Sequence, residues 1–358
     1  MVVLIGLIAT PGIARADDLT SGQWYVSFLK LAAAHKVTTG AGVTVAIIDS
    51  GVDATHPDLR GRVVSGADFT EGGQVSTGDG TRDIRGHGTQ MAGLIVGNGR
   101  VQGVAPGATI VPINDHTTTD APSSGALVEG IKWAVAHNVD VISISAGGPD
   151  SPLLKRAVDL AIQHDIVVVA AAGNVGQSTE LRYPAAYPGV VAVCGVDRQG
   201  NHSSVSATVP PPVLCAPSDN ISSTYPGSRY AVGSGTSQAT ALVAGSVALI
   251  RAKFPSISAA DVVNRLADTA TDKGELGRDN VYGYGIVNIL DALVKDVPLL
   301  GESAAVAAST GQHGTNDGGS SGRWEPWYLA LGGLVFLVFM AVAGAASAAL
   351  VTRSRRQR

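Results

Sequence analysis

Five short, nearly continuous apolar runs rich in β-branched residues alternate with helical stretches, and this alternation leaves the chain few architectures. The runs are 43–48 (VTVAII), 110–113 (IVPI), 139–144 (VDVISI), 166–170 (IVVVA) and 190–193 (VVAV). Strands with one wet face alternate polar and apolar residues; runs apolar throughout belong to strands buried on both faces. Helical patterns at 87–97, 124–137, 153–164, 237–254 and 258–269 lie between or after them. Strand, helix, strand in succession predicts an α/β fold, a mostly parallel central sheet covered on both sides in three layers. Reactive groups in such sheets gather at the carboxyl ends of the strands, which is where the informative motifs of this chain lie.

The 358 residues are 45% hydrophobic and 15% charged, enough for one α/β domain of roughly 250–300 residues plus appendages. A net charge of −4 leaves no basic footprint and excludes a nucleic-acid partner. The 45 glycines fall in turns and motifs instead of a repeat, so the chain is not collagenous. Residues Val2 to Ala14 form an apolar run too short to span a bilayer, followed by Ala14-Arg15-Ala16 before Asp17-Asp18. This A-x-A pattern predicts a signal peptide over 1–16, although no basic segment precedes the run; a buried N-terminal strand is the competing reading. Trp327 to Val351 carries no charge and exceeds the ~20 residues a spanning helix needs. Trp324, Trp327 and Tyr328 mark one interface, and Arg353, Arg355, Arg356 and Arg358 hold the tail in the cytoplasm. The expected order is therefore a signal peptide (1–16), an N-terminal extension (17–40), a folded domain outside the cytoplasm (41–300), a Gly/Ser/Thr/Ala-rich linker (301–326), a transmembrane helix (327–351) and a basic tail (352–358).

Four motifs carry chemistry. Asp49 ends the first run in VAIIDSGVDATHPDL, His87 sits between two glycines in RGHGTQMAGLI, Asn174 follows the fourth run in VVVAAAGN, and Ser237 opens an apolar helix in GSGTSQATALVAG. Taken singly, each has an ordinary reading: a turn-capping aspartate, a structural histidine, an N-cap serine. Their alternative roles are an anchored carboxylate, a base, an amide donor and a nucleophile favoured by the helix dipole.

Together, in the order Asp, His, Asn, Ser, IIDSGVDATHPDL, GHGTQMAGLI, AAGN and SGTSQATALVAG resemble the four motifs of the subtilisin-like serine proteases. The similarity continues in GVAPGA (103–108), ISISAGG (142–148), VLCAPS (213–218) and YGYGIVNILDAL (282–293), and so covers roughly residues 40–295. The resemblance implies the subtilisin-like fold and a serine endopeptidase with Asp49, His87 and Ser237 as triad. It also implies an oxyanion hole containing Asn174 and an edge strand, Ser145-Ala146-Gly147-Gly148, that pairs with extended polypeptide substrates. Gln238 and Ala241 replace the Met and Pro usual after the nucleophile, and Ser218 stands where Gly is usual; altered packing is the expected result. The connection Gly97–Gln102 is shorter than the calcium loop of calcium-dependent members, so neither metal nor cofactor is expected. Cys194 and Cys215 end strands that are neighbours in the family fold, which implies a disulfide; two buried unpaired thiols are the alternative.

Residues 17–40 are too few for a folding pro-domain. With the segment SGQWYVSFLKLAAAHKVTTGAGVTVAIIDSGV and a single C-terminal anchor, the chain resembles the mycosins, membrane-anchored subtilases associated with type VII secretion. That resemblance implies processing of exported proteins beside subunits of a secretion complex. The competing readings are a non-catalytic scaffold stabilising such a complex and a degradative scavenger protease. Arg182 falls in a loop that in relatives lines the first specificity pocket, or is a surface arginine. His56, His116, His137, His164, His202 and His313 lack motif context and are expected at the surface or at helix ends.

Overall fold

The computed structural model describes residues 12–13, 16–69, 76–116, 124–176, 182–208 and 211–301. The chain divides into a unit Met1–Ala305 and a unit Val306–Arg358; the second, with the expected transmembrane helix, basic tail and nearly all of the linker, lies outside the described residues, as do residues 1–11. Among the described residues no helix is long and apolar enough to cross a membrane. In chain order the elements are β1 (Gly12–Ile13), α1 (Ala16–Ser21), α2 (Tyr25–Phe28), α3 (Leu31–Ala34), β2 (Thr44–Asp49), β3 (Ala67–Asp68), α4 (His87–Val96), β4 (Thr109–Asn114), α5 (Ser124–Ala136) and β5 (Val141–Ile144). There follow α6 (Pro152–Gln163), β6 (Val167–Ala171), β7 (Val191–Val196), β8 (Leu214–Pro217), β9 (Ile221–Tyr225), β10 (Arg229–Gly233), α7 (Thr236–Lys253), α8 (Ala259–Thr269) and α9 (Ile289–Val294).

Seven strands form a sheet in the order β3-β4-β2-β5-β6-β7-β8, parallel at every pairing. Period-two alternation sorts its side chains into two cores. Val45, Ile47, Val141, Val167, Val169, Val191 and Val193 face α4 and α7, whereas Ala46, Ile48, Ile142, Ile144, Val168 and Ala170 face α5 and α6. This is the expected three-layer α/β arrangement. Helix α7 is buried from Thr236 to Arg251, which explains a sequence with no polar stripe. A β-carbon on Gly245 would lie 2.7 Å from Val104 Cβ, so glycine sets how closely this helix approaches its neighbour. Cys194 and Cys215 are register partners on β7 and β8, with Cα atoms 4.4 Å apart and their sulfurs joined.

A small antiparallel sheet, β1-β10-β9, lies apart from the main one. Gly12–Ile13, inside the expected signal peptide, pairs with Val232 and Ala231 on the open edge of β10, and Ala16, the expected cleavage residue, opens α1. The extension that follows packs into the main core. Tyr25 and Leu31 are fully buried. Trp24 Nε1 donates to Asp219 O at 2.9 Å, and Tyr25 OH donates to Gln102 O at 2.8 Å.

Candidate active site

Asp49 closes β2 and is 3% exposed. The Ser50 N–H donates to its Oδ1 at 2.7 Å. His87 is the first residue of α4, and its Nδ1 lies 2.9 Å from Oδ1 and 2.8 Å from Oδ2 of Asp49. The flanking glycines make this approach possible. A β-carbon on Gly86, which has a φ of +91°, would run into the Tyr225 ring, and one on Gly88 would strike Gly51 O. Asp83, which the sequence reading passed over, fixes the start of the helix. Its Oδ1 accepts from Gly86 N at 2.7 Å and from Ser50 Oγ at 3.0 Å, and its Oδ2 accepts from Thr89 N at 2.9 Å. An aspartate three residues ahead of a helix-opening Gly-His-Gly was the available signal.

Burial pushes the Asp49 carboxyl up, but the charge and hydrogen bond of His87 and the Ser50 N–H outweigh it and hold the group below its ordinary range. Burial pushes His87 down, and the charge and hydrogen bond of Asp49 outweigh that and raise it. The pair thus stabilises an imidazolium with Nδ1–H turned to the carboxylate, which leaves Nε2 as the basic nitrogen.

Ser237 is the second residue of α7 and is 8% exposed. Its Oγ donates to Ser145 O over 3.5 Å, a long contact for a hydroxyl. The register of the sheet brings these groups together. β2 and β5 pair up to Ile48 and Ile144, so Asp49 and Ser145 leave adjacent strand ends. Asn174 Oδ1 accepts from Thr236 N at 2.9 Å and from Thr236 Oγ1 at 3.1 Å. A backbone N–H must face the amide oxygen, and this fixes which way the side chain is turned.

Ser145, Ala146, Gly147 and Gly148 are half-buried. Gly148 exchanges both backbone hydrogen bonds with Tyr183, each 2.9 Å. His56 caps the short helix Pro57–Leu59, one of the two expected placements, and the structure corrects the reading of His116. His56 is fully buried and bonds Arg229 O at 3.0 Å through Nε2. The His116 side chain is 11% exposed and sits 2.9 Å from Asp115 Oδ1, while Asp115 N donates to Asp49 O at 3.0 Å. Burial lowers the His116 pKa, but Asp115 reverses this and raises it to about 9. A second carboxylate–imidazole pair therefore stands beside the first.

The turn 97–102 is tied into the fold by hydrogen bonds. Asp58 takes its amides, accepting from Asn98 N at 3.0 Å and from Val101 N at 2.8 Å, and Gln23 Nε2 donates to Arg100 O at 2.8 Å. Among the described residues no group of three or more His, Cys, Asp or Glu side chains could hold a metal.

Comparison with known families decides the assignment, since the model of the subtilase family matches residues 40–285. The chain belongs to the subtilase family. Subtilisin DY of Bacillus licheniformis is 42% identical to this subtilase over 257 residues, 70% of this chain and 90% of that protein. Among solved structures, MycP1 from Mycobacterium smegmatis superposes with a TM-score of 0.72 at 25% identity, over 83% of this chain and 90% of the other. The serine protease MycP1 described as an essential component of the type VII (ESX-1) secretion system superposes with a TM-score of 0.71 at 29% identity, over 82% and 94%. This subtilase is thus a serine endopeptidase acting on polypeptides, with mycosins as structural neighbours. Its departures from the usual motif lie inward: Gln238 is 5% exposed and Ala241 is fully buried.

Proposed function

We propose that this subtilase cleaves peptide bonds in extended segments with Ser237 as nucleophile, His87 as general base and Asp49 as the partner of the imidazole. The observation that carries the reading is the contact of both Asp49 oxygens with His87 Nδ1, at 2.8 and 2.9 Å. With Nδ1–H committed to the carboxylate, Nε2 takes the Ser237 proton as Oγ attacks the scissile carbonyl carbon. The carbonyl π pair moves to oxygen, whose charge is received by Asn174 Nδ2 and the Ser237 N–H at the positive end of α7. The tetrahedral intermediate collapses, the C–N bond breaks, and His87 returns the proton to the leaving amine. Water then attacks the acyl-enzyme by the same route and frees Ser237. The substrate lies along Ser145–Gly147 as an added strand. A fluorophosphonate probe is expected to label the wild-type chain at Ser237 and to leave Ser237→Ala unlabelled. A folded wild-type chain that does not react would shift the reading to a scaffold that stabilises a membrane secretion complex.

The likeness to MycP1 supports a place beside a type VII secretion system, with exported proteins as substrates and secretion subunits as partners. In this reading a signal peptide (1–16) and extension (17–40) precede a catalytic domain (41–300) outside the cytoplasm, and a linker (301–326), transmembrane helix (327–351) and cytoplasmic tail (352–358) follow it. The uncharged stretch 327–351 is long enough to cross the hydrocarbon core, and the four arginines beyond it resist translocation. Truncation before Trp324 should release an active protease into the medium. Shaving intact cells with an added protease should digest the catalytic domain and spare the tail, and the opposite pattern overturns the orientation.

A further inference from the structure

The segments that continue β5 and β6 leave the sheet side by side, the last paired residues being Ile144 and Ala170. One carries Ser145, whose carbonyl meets Ser237 Oγ; the other carries Asn174, bonded to the start of α7. On the reading of Ser237 as nucleophile, a peptide on Ser145–Gly147 with its carbonyl at Ser237 and Asn174 turns the side chain before the scissile bond into the slot between them.

That slot is crossed by Arg182. Its Nη2 donates to Gly147 O at 2.7 Å. A β-carbon on Gly173 would lie 2.7 Å from Arg182 Cδ, and one on Gly147 would lie 3.3 Å from its Nε and 3.4 Å from its Cβ. Both walls lack a side chain where the arginine passes, so the arginine stem takes the volume that side chains would have filled. The base of the loop is held as well. Tyr183 is tied to Gly148 by two backbone bonds of 2.9 Å, and Ala186 N donates to Arg182 O at 2.9 Å. Tyr187 OH donates to Asp150 Oδ1 at 2.7 Å. Neither Arg182 nor its support is free to swing away without breaking these bonds.

We propose that Arg182 is the residue that sets cleavage specificity, filling the slot so that bonds after small uncharged residues (Gly, Ala, Ser) are cut and bonds after large residues are not. The guanidinium is aimed at the Gly147 carbonyl on the wall, so it acts as filler in place of a counter-charge for an acidic substrate.

The test uses the full chain in detergent with quenched peptides identical except for Ala, Phe or Asp before the cleaved bond. The wild type should favour Ala over Phe and over Asp in kcat/KM by at least about tenfold, the discrimination a tight pocket gives. Arg182→Ala should raise the Phe-to-Ala ratio by at least about tenfold. A wild type that cuts after Phe as fast as after Ala, or that prefers Asp, overturns the proposal. So does a folded Arg182→Ala, checked by circular dichroism, with an unchanged ratio; should that variant not fold, the wild-type profile decides. If no peptide is cut and the fluorophosphonate leaves Ser237 unlabelled, the nucleophile reading fails and this proposal falls with it.

Discussion

Ser237→Ala should lower kcat by about a million-fold, the loss that follows removal of this nucleophile in subtilisin, while leaving the melting temperature almost unchanged. The two halves of this expectation have different physical causes. Without Oγ no acyl-enzyme can form, and what remains is the electrostatic help of the oxyanion site alone. The stability cost is small because Ser237 Oγ spends only a 3.5 Å contact on Ser145 O, and the N-cap of α7 is Gly235, which makes no side-chain cap. His87→Ala should cost as much activity but more stability, since it leaves Asp49, 3% exposed, without the imidazole that offsets its burial. Asp49→Ala should cost about 10⁴-fold, because the imidazole keeps its place less well yet still exists. The double variant Ser237→Ala/His87→Ala should be no worse than either single one. Steady-state turnover of one peptide by the wild type and these four variants, with melting curves, is the measurement. Appreciable turnover by folded Ser237→Ala would end the nucleophile assignment.

Asn174→Ala should lower kcat by about 100- to 1000-fold with little change in KM, the signature of a donor that acts only on the developing oxyanion. In this protein the same side chain has a second duty, because Oδ1 accepts from Thr236 N and Thr236 Oγ1. The variant should therefore also lose about 1–3 kcal/mol of stability through the donors left without their acceptor. Asn174→Asp separates the two. It keeps an oxygen for Thr236 but replaces the donor with negative charge, so stability should recover while kcat stays low. An unchanged kcat in Asn174→Ala would remove the residue from the oxyanion hole.

The parts of the fold visible in the sequence were those with a periodic signal. The run 43–48 and the pattern 87–97 lie within a residue of β2 and α4, because a strand buried on both faces and a helix in the core leave little room for other residue types. Asp49, His87 and Ser237 could be singled out as candidates because each stands where such an element begins or ends, and Asn174 because it closes the short stretch that follows β6. The pair Asp115–His116 was not. It becomes part of the site only because β4 lies next to β2, with Asn114 opposite Asp49, and no local pattern encodes which strands will be neighbours. The burial of His56 was hidden for a related reason. It depends on β10, 173 residues away in sequence. Gly148 was read as available for substrate because its segment looks like an open edge; its backbone partner, Tyr183, is reached across a loop.

The N-terminal extension has a consequence for how the chain comes together. Trp24 hydrogen-bonds a residue 195 positions later, Tyr25 one 77 positions later, and Arg198 returns to Ser21 across 177 positions. The extension is made before the segments that hold it, so Tyr25 waits for Gln102 and Trp24 for Asp219. Contacts of such long reach are closed late and slowly. The clasp on Trp24 thus closes only after the segment carrying Asp219 has arrived, and a chain interrupted before it is left with Trp24 lacking that partner as a mark of incompleteness.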